Sequence, residues 1–117
     1  MKRESGNSNP VRAVRWSNRA AIVEVVGDID INRSTGFQAA LLAVLDDKPE
    51  RIIVHLGAVA YMDSSGVASL VKLLSRARKA NTKVYLVQLG ERVRSIFEIT
   101  RLDAVFTICK TEPEALI

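Results

Sequence analysis

Two short segments hold the residues with most capacity for chemistry. Gly27-Asp28-Ile29-Asp30 is an acidic loop, and Tyr61-Met62-Asp63-Ser64-Ser65-Gly66 sets two hydroxyls beside a carboxylate. Each precedes a helical pattern. If each also follows a parallel strand, both lie at the carboxyl edge of one sheet, where binding sites gather in such folds. Asp28, Asp30, Asp63 and Ser64 then form one patch. Ser64 or Asp63 caps the following helix, because either side chain can accept from the unpaired N–H groups of a first turn. The same place suits a phosphate, since those N–H groups and the helix dipole favour an anion. Gly66 would let another molecule approach the backbone closely. A phosphate on Ser64 adds about −1.5 to −2 charges, next to Asp63 and near the acidic loop. Ser65 is the competing acceptor. One position further into the helix, it is expected to bond locally to backbone.

A serine enzyme built on Ser64 needs a general base. The one histidine, His55, falls within a strand-like run, and no Gly-x-Ser-x-Gly elbow occurs. Neither a Gly-x-x-x-x-Gly-Lys loop nor a cluster of metal-ligating residues is present. The expectation is a chain that is acted upon and does not catalyse, with no cofactor and no metal of its own. His55 reads as a hydrogen-bonded residue at a strand end, although a free imidazole titrates near neutral pH.

The elements that position these loops follow from periodicity. Residues 1–9 are polar and read as a flexible leader, with a single domain over 10–117. Val11 to Trp16 alternates apolar and basic residues, as a half-exposed strand does. Ser17-Asn18-Arg19 turns the chain into a β-branched strand, Ala20 to Val26, so the two form a hairpin. Asn32 or Ser34 caps a helix with its apolar stripe at Phe37, Ala40, Leu41, Val44 and Leu45. Asp46-Asp47-Lys48-Pro49 stops it. Arg51 to Leu56 is a nearly continuous apolar run, the pattern of a strand covered on both faces.

The next helix runs to about Ala80, with a stripe at Val67, Leu70, Val71, Leu74 and Ala77 and an outward face carrying Lys72, Arg76, Arg78 and Lys79. A strand at 83–87 and a helix opened by Gly90-Glu91, with Val93, Ile96 and Phe97 inward, come next. A short strand at 105–108 and a last short helix with Pro113 in its first turn complete the chain. The order is β-β-α-β-α-β-α-β-α. Alternation of this kind implies an α/β fold with a mixed sheet and parallel crossovers.

Composition narrows the function further. A chain of 117 residues suits one domain. At 48% hydrophobic but only 5% aromatic, its core must be aliphatic, and a base-stacking platform for nucleic acid is lacking. The net charge of +4 is local: residues 1–19 hold five basic residues against Glu4 alone, and the rest of the chain is balanced, 12 against 12. That distribution describes a solubilising arm and an exposed edge strand rather than a nucleic-acid interface, so no direct nucleic-acid partner is expected. The single cysteine, Cys109, excludes an internal disulfide and reads as a small buried hydrophobe. No run approaches the roughly 20 apolar residues of a membrane span, and the start lacks the apolar core of a signal peptide. A cytoplasmic protein with no membrane contact is the expectation.

Taken together on this element order, Gly27-Asp28-Ile29-Asp30 and Tyr61-Met62-Asp63-Ser64-Ser65-Gly66-Val67 resemble the STAS domain of anti-sigma factor antagonists. The resemblance covers roughly residues 11 to 117, and Val93 to Leu102 fits the family's late segment. It implies a STAS-like single domain with a mixed four- to five-stranded sheet and a partner-switching mechanism. In that scheme the unphosphorylated antagonist binds an anti-sigma factor that is also a serine kinase, and a sigma factor is released. The kinase phosphorylates the serine directly after the motif aspartate, here Ser64, and a metal-dependent serine phosphatase resets it. Asp28 and Asp30 match the family's upstream acidic loop, which helps to dock the kinase, so the implied partner-binding set is Asp28, Asp30, Asp63, Ser64, Ser65 and Gly66. ATP and Mg²⁺ belong to the kinase. Two features depart from the family's habit: His55 stands where Asp or Asn is common, and the chain is basic overall. STAS domains also serve as scaffolds or regulatory subunits in stress-sensing complexes, which is the alternative role.

Overall fold

The computed structural model describes residues 9–117. The expected leader therefore lies, apart from Asn9, outside the described residues. In chain order the strands are β1 (Val11–Ser17), β2 (Ala20–Val26), β3 (Arg51–Ala58), β4 (Lys83–Val87) and β5 (Thr107–Cys109). The helices are α1 (Ser34–Asp46), α2 (Ser64–Lys79), α3 (Glu91–Ile99) and α4 (Glu112–Leu116). The five strands form one sheet in the order β1-β2-β3-β4-β5. β1 and β2 pair antiparallel, as the hairpin reading predicts, with Ser17 opposite Ala20 and Trp16 opposite Ala21. The other neighbours are parallel, so β3 is the central strand and its apolar run is covered on both faces.

The two faces are unequal. Val23, Val54 and Leu86 sit side by side across three strands and pack into the main core beneath α1, α2 and α3. Ile22 and Ile53 turn the other way, into a smaller cluster closed by Ala115 and Leu116 of α4. Helix α4 is only five residues long, too short to hold itself. It is fixed by a capping box between Thr111 and Glu114 and by Arg51, whose Nη1 and Nη2 donate to the carbonyls of Ala115 (2.9 Å) and Ile117 (3.2 Å). Arg15 on β1 adds ion pairs to Glu24 and Glu112. Hydrogen bonds to these two carboxylates raise the Arg15 pKa further, and the paired Arg15 guanidinium lowers that of Glu112.

Three expectations need correction. On α2 the buried residues are Gly66, Val67, Ser69, Leu70, Leu73 and Ala77, whereas Val71 is 40% exposed and Leu74 only partly buried. Ser69 explains the rotation. Its hydroxyl donates to the Ser34 carbonyl at 3.1 Å, so the flank of α2 that carries Ser69 and Leu73 faces α1. The second correction is the start of α1. Its first turn is preceded by Arg33, with no side-chain cap, in place of Asn32 or Ser34. The Asp30 carbonyl takes the N–H groups of Arg33 and Ser34, and Ser34 itself is buried under α2. The third is the last strand, which begins at Thr107 and not at Val105. A 3₁₀ turn at Leu102–Ala104 draws the N–H groups of Val105 and Phe106 to the Leu102 carbonyl, and Phe106 packs edge-on against Phe97 at 5.5 Å.

Candidate functional site

The two motif loops meet at the carboxyl edge of the sheet. Ile29 and Met62 form an isolated parallel bridge: the Ile29 N–H donates to the Tyr61 carbonyl, and the Asp63 N–H to the Ile29 carbonyl, both at 3.0 Å. The patch expected from Asp28, Asp30, Asp63 and Ser64 therefore rests on a direct backbone link between its two halves. Both bridging side chains are buried, which ties the loops to the core.

Asp63, not Ser64, is the helix cap. Its Oδ1 accepts from the backbone N–H of Ser65 (2.9 Å) and Gly66 (3.3 Å) and from the Ser65 hydroxyl. The Ser65 hydroxyl bond, more than the flanking backbone N–H groups, holds the Asp63 carboxyl below the usual range for an aspartate. Ser65 thus donates to the Asp63 side chain, where a bond to backbone was expected. With those donors taken, Ser64 is left exposed, and among the described residues its hydroxyl has no hydrogen-bond partner. A serine that is neither a cap nor buried is free to be modified.

Gly66 also differs from expectation. It is buried, and the room its missing side chain leaves is filled from within. A Cβ at this position would stand 2.6 Å from Met62 Cγ and 2.9 Å from Ile29 Cγ2. Its role is to let the two bridging side chains close over the first turn of α2, not to admit another molecule.

The acidic loop has its own support. Gly27 adopts φ +90°, a conformation that favours glycine. A Cβ there would meet Arg33 Nη1 at 2.6 Å. Arg33 uses that room to donate from Nη1 to the Asp28 carbonyl at 2.9 Å, pinning the loop backbone while the Asp28 side chain stays exposed. Asp30 is partly buried and accepts the Asn32 N–H at 2.9 Å. Sequence reasoning missed Arg33; the signal was a long cation just after a glycine-closed loop. Among the described residues Asp28, Asp30 and Asp63 belong to no group able to hold a metal ion.

Apolar side chains flank this polar patch. Ile31 is 72% exposed, Tyr61 41% and Ile99 81%. A groove of about 450 Å³ runs from Tyr61, Asp63 and Ser64 to Arg92, Ser95 and Ile99 of α3. Clustered exposed apolar residues around polar groups mark protein–protein contact surfaces. His55 lies elsewhere: it lines a separate hollow with Glu24 and Gln88, and its Nδ1 accepts the Gly57 N–H at 3.3 Å. The hydrogen bond is the one expected, but His55 lies within β3, opposite Glu24 and Val87, and not at the strand's end. Cys109 ends β5, partly buried against the smaller core, and burial raises its thiol pKa. No helix among the described residues is long and apolar enough to cross a membrane.

Comparison with known proteins agrees with this geometry. The STAS domain family model matches residues 12–115. The anti-sigma-B factor antagonist of Staphylococcus aureus is 30% identical over 80 residues, which cover 68% of this chain and 74% of that protein. The crystal structure of an anti-sigma factor antagonist from Mycobacterium paratuberculosis superposes with a TM-score of 0.82 at 27% identity, covering 89% of this chain and 88% of the other. The Bacillus cell fate determinant SpoIIAA, solved in a phosphorylated form, shares the fold with a TM-score of 0.67 at 19% identity, covering 89% and 95% of the two chains. The chain belongs to the STAS domain family, and its relatives from Staphylococcus and Mycobacterium are anti-sigma factor antagonists. The family and the α/β fold expected from the two loops and the element order are those found.

Proposed function

We infer that this chain is an anti-sigma factor antagonist switched by phosphorylation of Ser64. The observation that carries the reading is the division of roles at the start of α2: Asp63 makes the cap, and the Ser64 hydroxyl is exposed and unbonded. In its unphosphorylated form the chain docks an anti-sigma factor that is also a serine kinase, through Asp28, Asp30, Asp63, Ser64, Ser65 and Gly66. Ser65 and Gly66 contribute by shaping the turn, Asp28 by its exposed carboxylate, and Ile31 and Tyr61 by apolar contact. The kinase brings ATP and Mg²⁺; the chain itself is a substrate and not an enzyme. The added phosphate must be paired or returned to water when the partner closes over it, because an unpaired buried charge costs several kcal/mol. Release follows without any refolding of this chain, and a serine phosphatase restores the docking form.

The test is direct. The protein is incubated with ATP, Mg²⁺ and the anti-sigma kinase of its own genome, and any phosphate is mapped by mass spectrometry. One phosphate on Ser64, lost in Ser64→Ala, is expected. In binding assays Ser64→Ala should hold the kinase constitutively, while Ser64→Asp and Ser64→Glu bind poorly. Equal affinity of all variants, or no phosphate from any such kinase, overturns the switch and leaves a scaffold role for the domain.

A further inference from the structure

The groove beside Ser64 has a cationic far wall. Arg92 and Ser95 lie one turn apart on α3 and both line the groove they share with Tyr61, Asp63 and Ser64, and Arg92 also borders a neighbouring hollow with Gly90 and Glu91. Arg92 is exposed and, among the described residues, makes no ion pair or hydrogen bond. Of the carboxylates, Asp63 lines the opposite wall with its Oδ1 filled by N–H and hydroxyl donors, Asp28 and Asp30 belong to the adjoining loop, and Glu91 and Glu98 sit on α3 outside the groove lining. A guanidinium on a flexible stem with nothing to bind, facing an acceptor hydroxyl across an open groove, fits an anion carried on that hydroxyl. Arginine's fork of donors matches phosphate oxygens in pairs.

We propose that Arg92, assisted by the Ser95 hydroxyl, is an intramolecular receptor for the phosphate on Ser64. The inference rests on the reading that Ser64 is phosphorylated and extends it. The phosphate is held in cis across the groove, reached by the long Arg92 side chain while the backbones of α3 and α2 keep their places. Groove occupancy then hides the apolar wall of Ile96 and Ile99 from a partner, in addition to the change of charge.

The experiment does not need the kinase. Phosphoserine is encoded at position 64 during translation, and the second phosphate pKa, ordinarily about 6, is read by ³¹P NMR titration. The groups that act on it are the carboxylates of Asp28, Asp30 and Asp63 and, from α3, Glu91 and Glu98, which raise it, and Arg92, which lowers it. The comparison between variants therefore decides the matter, not the absolute value. Arg92→Gln should raise the phosphate pKa by about half a unit or more, a reduced version of the one- to three-unit effect of a close opposite charge because the site is open to water. Arg94→Gln, which removes the same charge from a residue outside the groove, should leave it unchanged. Equal pKa values in the parent and Arg92→Gln, or an equal shift from both substitutions, overturn the receptor. Failure of the wider switch would show differently, as absence of kinase-catalysed phosphate on Ser64.

Discussion

Gly66→Ala sets two physical effects against each other, and the structure decides between them. Alanine gains about 1 kcal/mol over glycine in a helix interior. Against this, the new methyl would lie 2.6 Å from Met62 Cγ and 2.9 Å from Ile29 Cγ2. Neither atom is the free end of a flexible chain: one is mid-chain in a buried methionine, the other on the branched carbon of a fully buried isoleucine. Overpacking of this kind costs about 1–3 kcal/mol, and two contacts under 3.0 Å place it in the upper part of that range. The net loss is then about 1–2 kcal/mol. At about 2.1 cal/mol/K per residue of unfolding entropy, it lowers the Tm by roughly 4–8 °C. Urea unfolding gives the free energy, and a double-mutant cycle with Met62→Ala gives the cause. Met62→Ala alone destabilises by leaving a cavity. Added to Gly66→Ala it removes the closer clash, so the pair should be more stable than the sum of its parts by about 1 kcal/mol. A raised Tm for Gly66→Ala, or strict additivity with Met62→Ala, refutes the idea that Gly66 exists to admit the bridging side chains.

Two further substitutions examine the helix that follows. Asp63→Ala should cost about 1 kcal/mol through the lost cap, and Asp63→Asn less, because asparagine also caps. The Asp63 pKa is lowered in the folded chain by the Ser65 hydroxyl and neighbouring N–H groups, so its contribution is complete above the ordinary aspartate value and disappears as pH falls through the depressed one. Unfolding free energies should show the gap between the parent and Asp63→Asn constant at neutral pH and narrowing only in acid; a gap that opens on acidification contradicts the assignment. On the body of α2, Leu73→Ala should cost about 2–5 kcal/mol and Val71→Ala no more than about 0.5 kcal/mol. Urea midpoints in the reverse order would restore the stripe read from periodicity.

That stripe shows how far the sequence carries. Spacing of three and four residues identifies a helix and an apolar face but leaves the centre of the face free by a residue on either side. At 100° per residue, Val71 and Leu73 lie on opposite shoulders of Leu70. The choice fell to Leu73 because Ser69, polar and small, is buried beneath α1 with its hydroxyl satisfied by the Ser34 carbonyl. A serine that donates to a distant backbone carbonyl has no local signature. The first turn of α1 escaped for a related reason: the Asp30 carbonyl takes the place of a side-chain cap, and backbone partners do not show in residue types. The hairpin, the central buried strand and the two motif loops were legible because β-branched runs, glycines and clustered polar residues constrain structure locally. Arg33 and Arg92 were not, since their significance comes from what lies opposite in space.

If Ser64 carries the switch proposed above, its adjacency to Asp63 answers a problem that any switch at a helix start must face. A helix needs a cap, and the residue best placed to carry a regulatory phosphate is next to the cap. Were one side chain to do both, each phosphorylation would remove a cap and alter the stability of α2, coupling signal to unfolding. Here Asp63 binds the Ser65 and Gly66 N–H groups, so a change at Ser64 leaves the cap in place. The Ile29–Met62 bridge performs the same separation between loops, anchoring the acidic segment to the core rather than to the serine. A surface fixed on both sides of its variable group can change charge while keeping its shape. Discrimination by a partner then rests on charge, desolvation and access to the groove, and the phosphorylated and unphosphorylated chains should have nearly the same backbone.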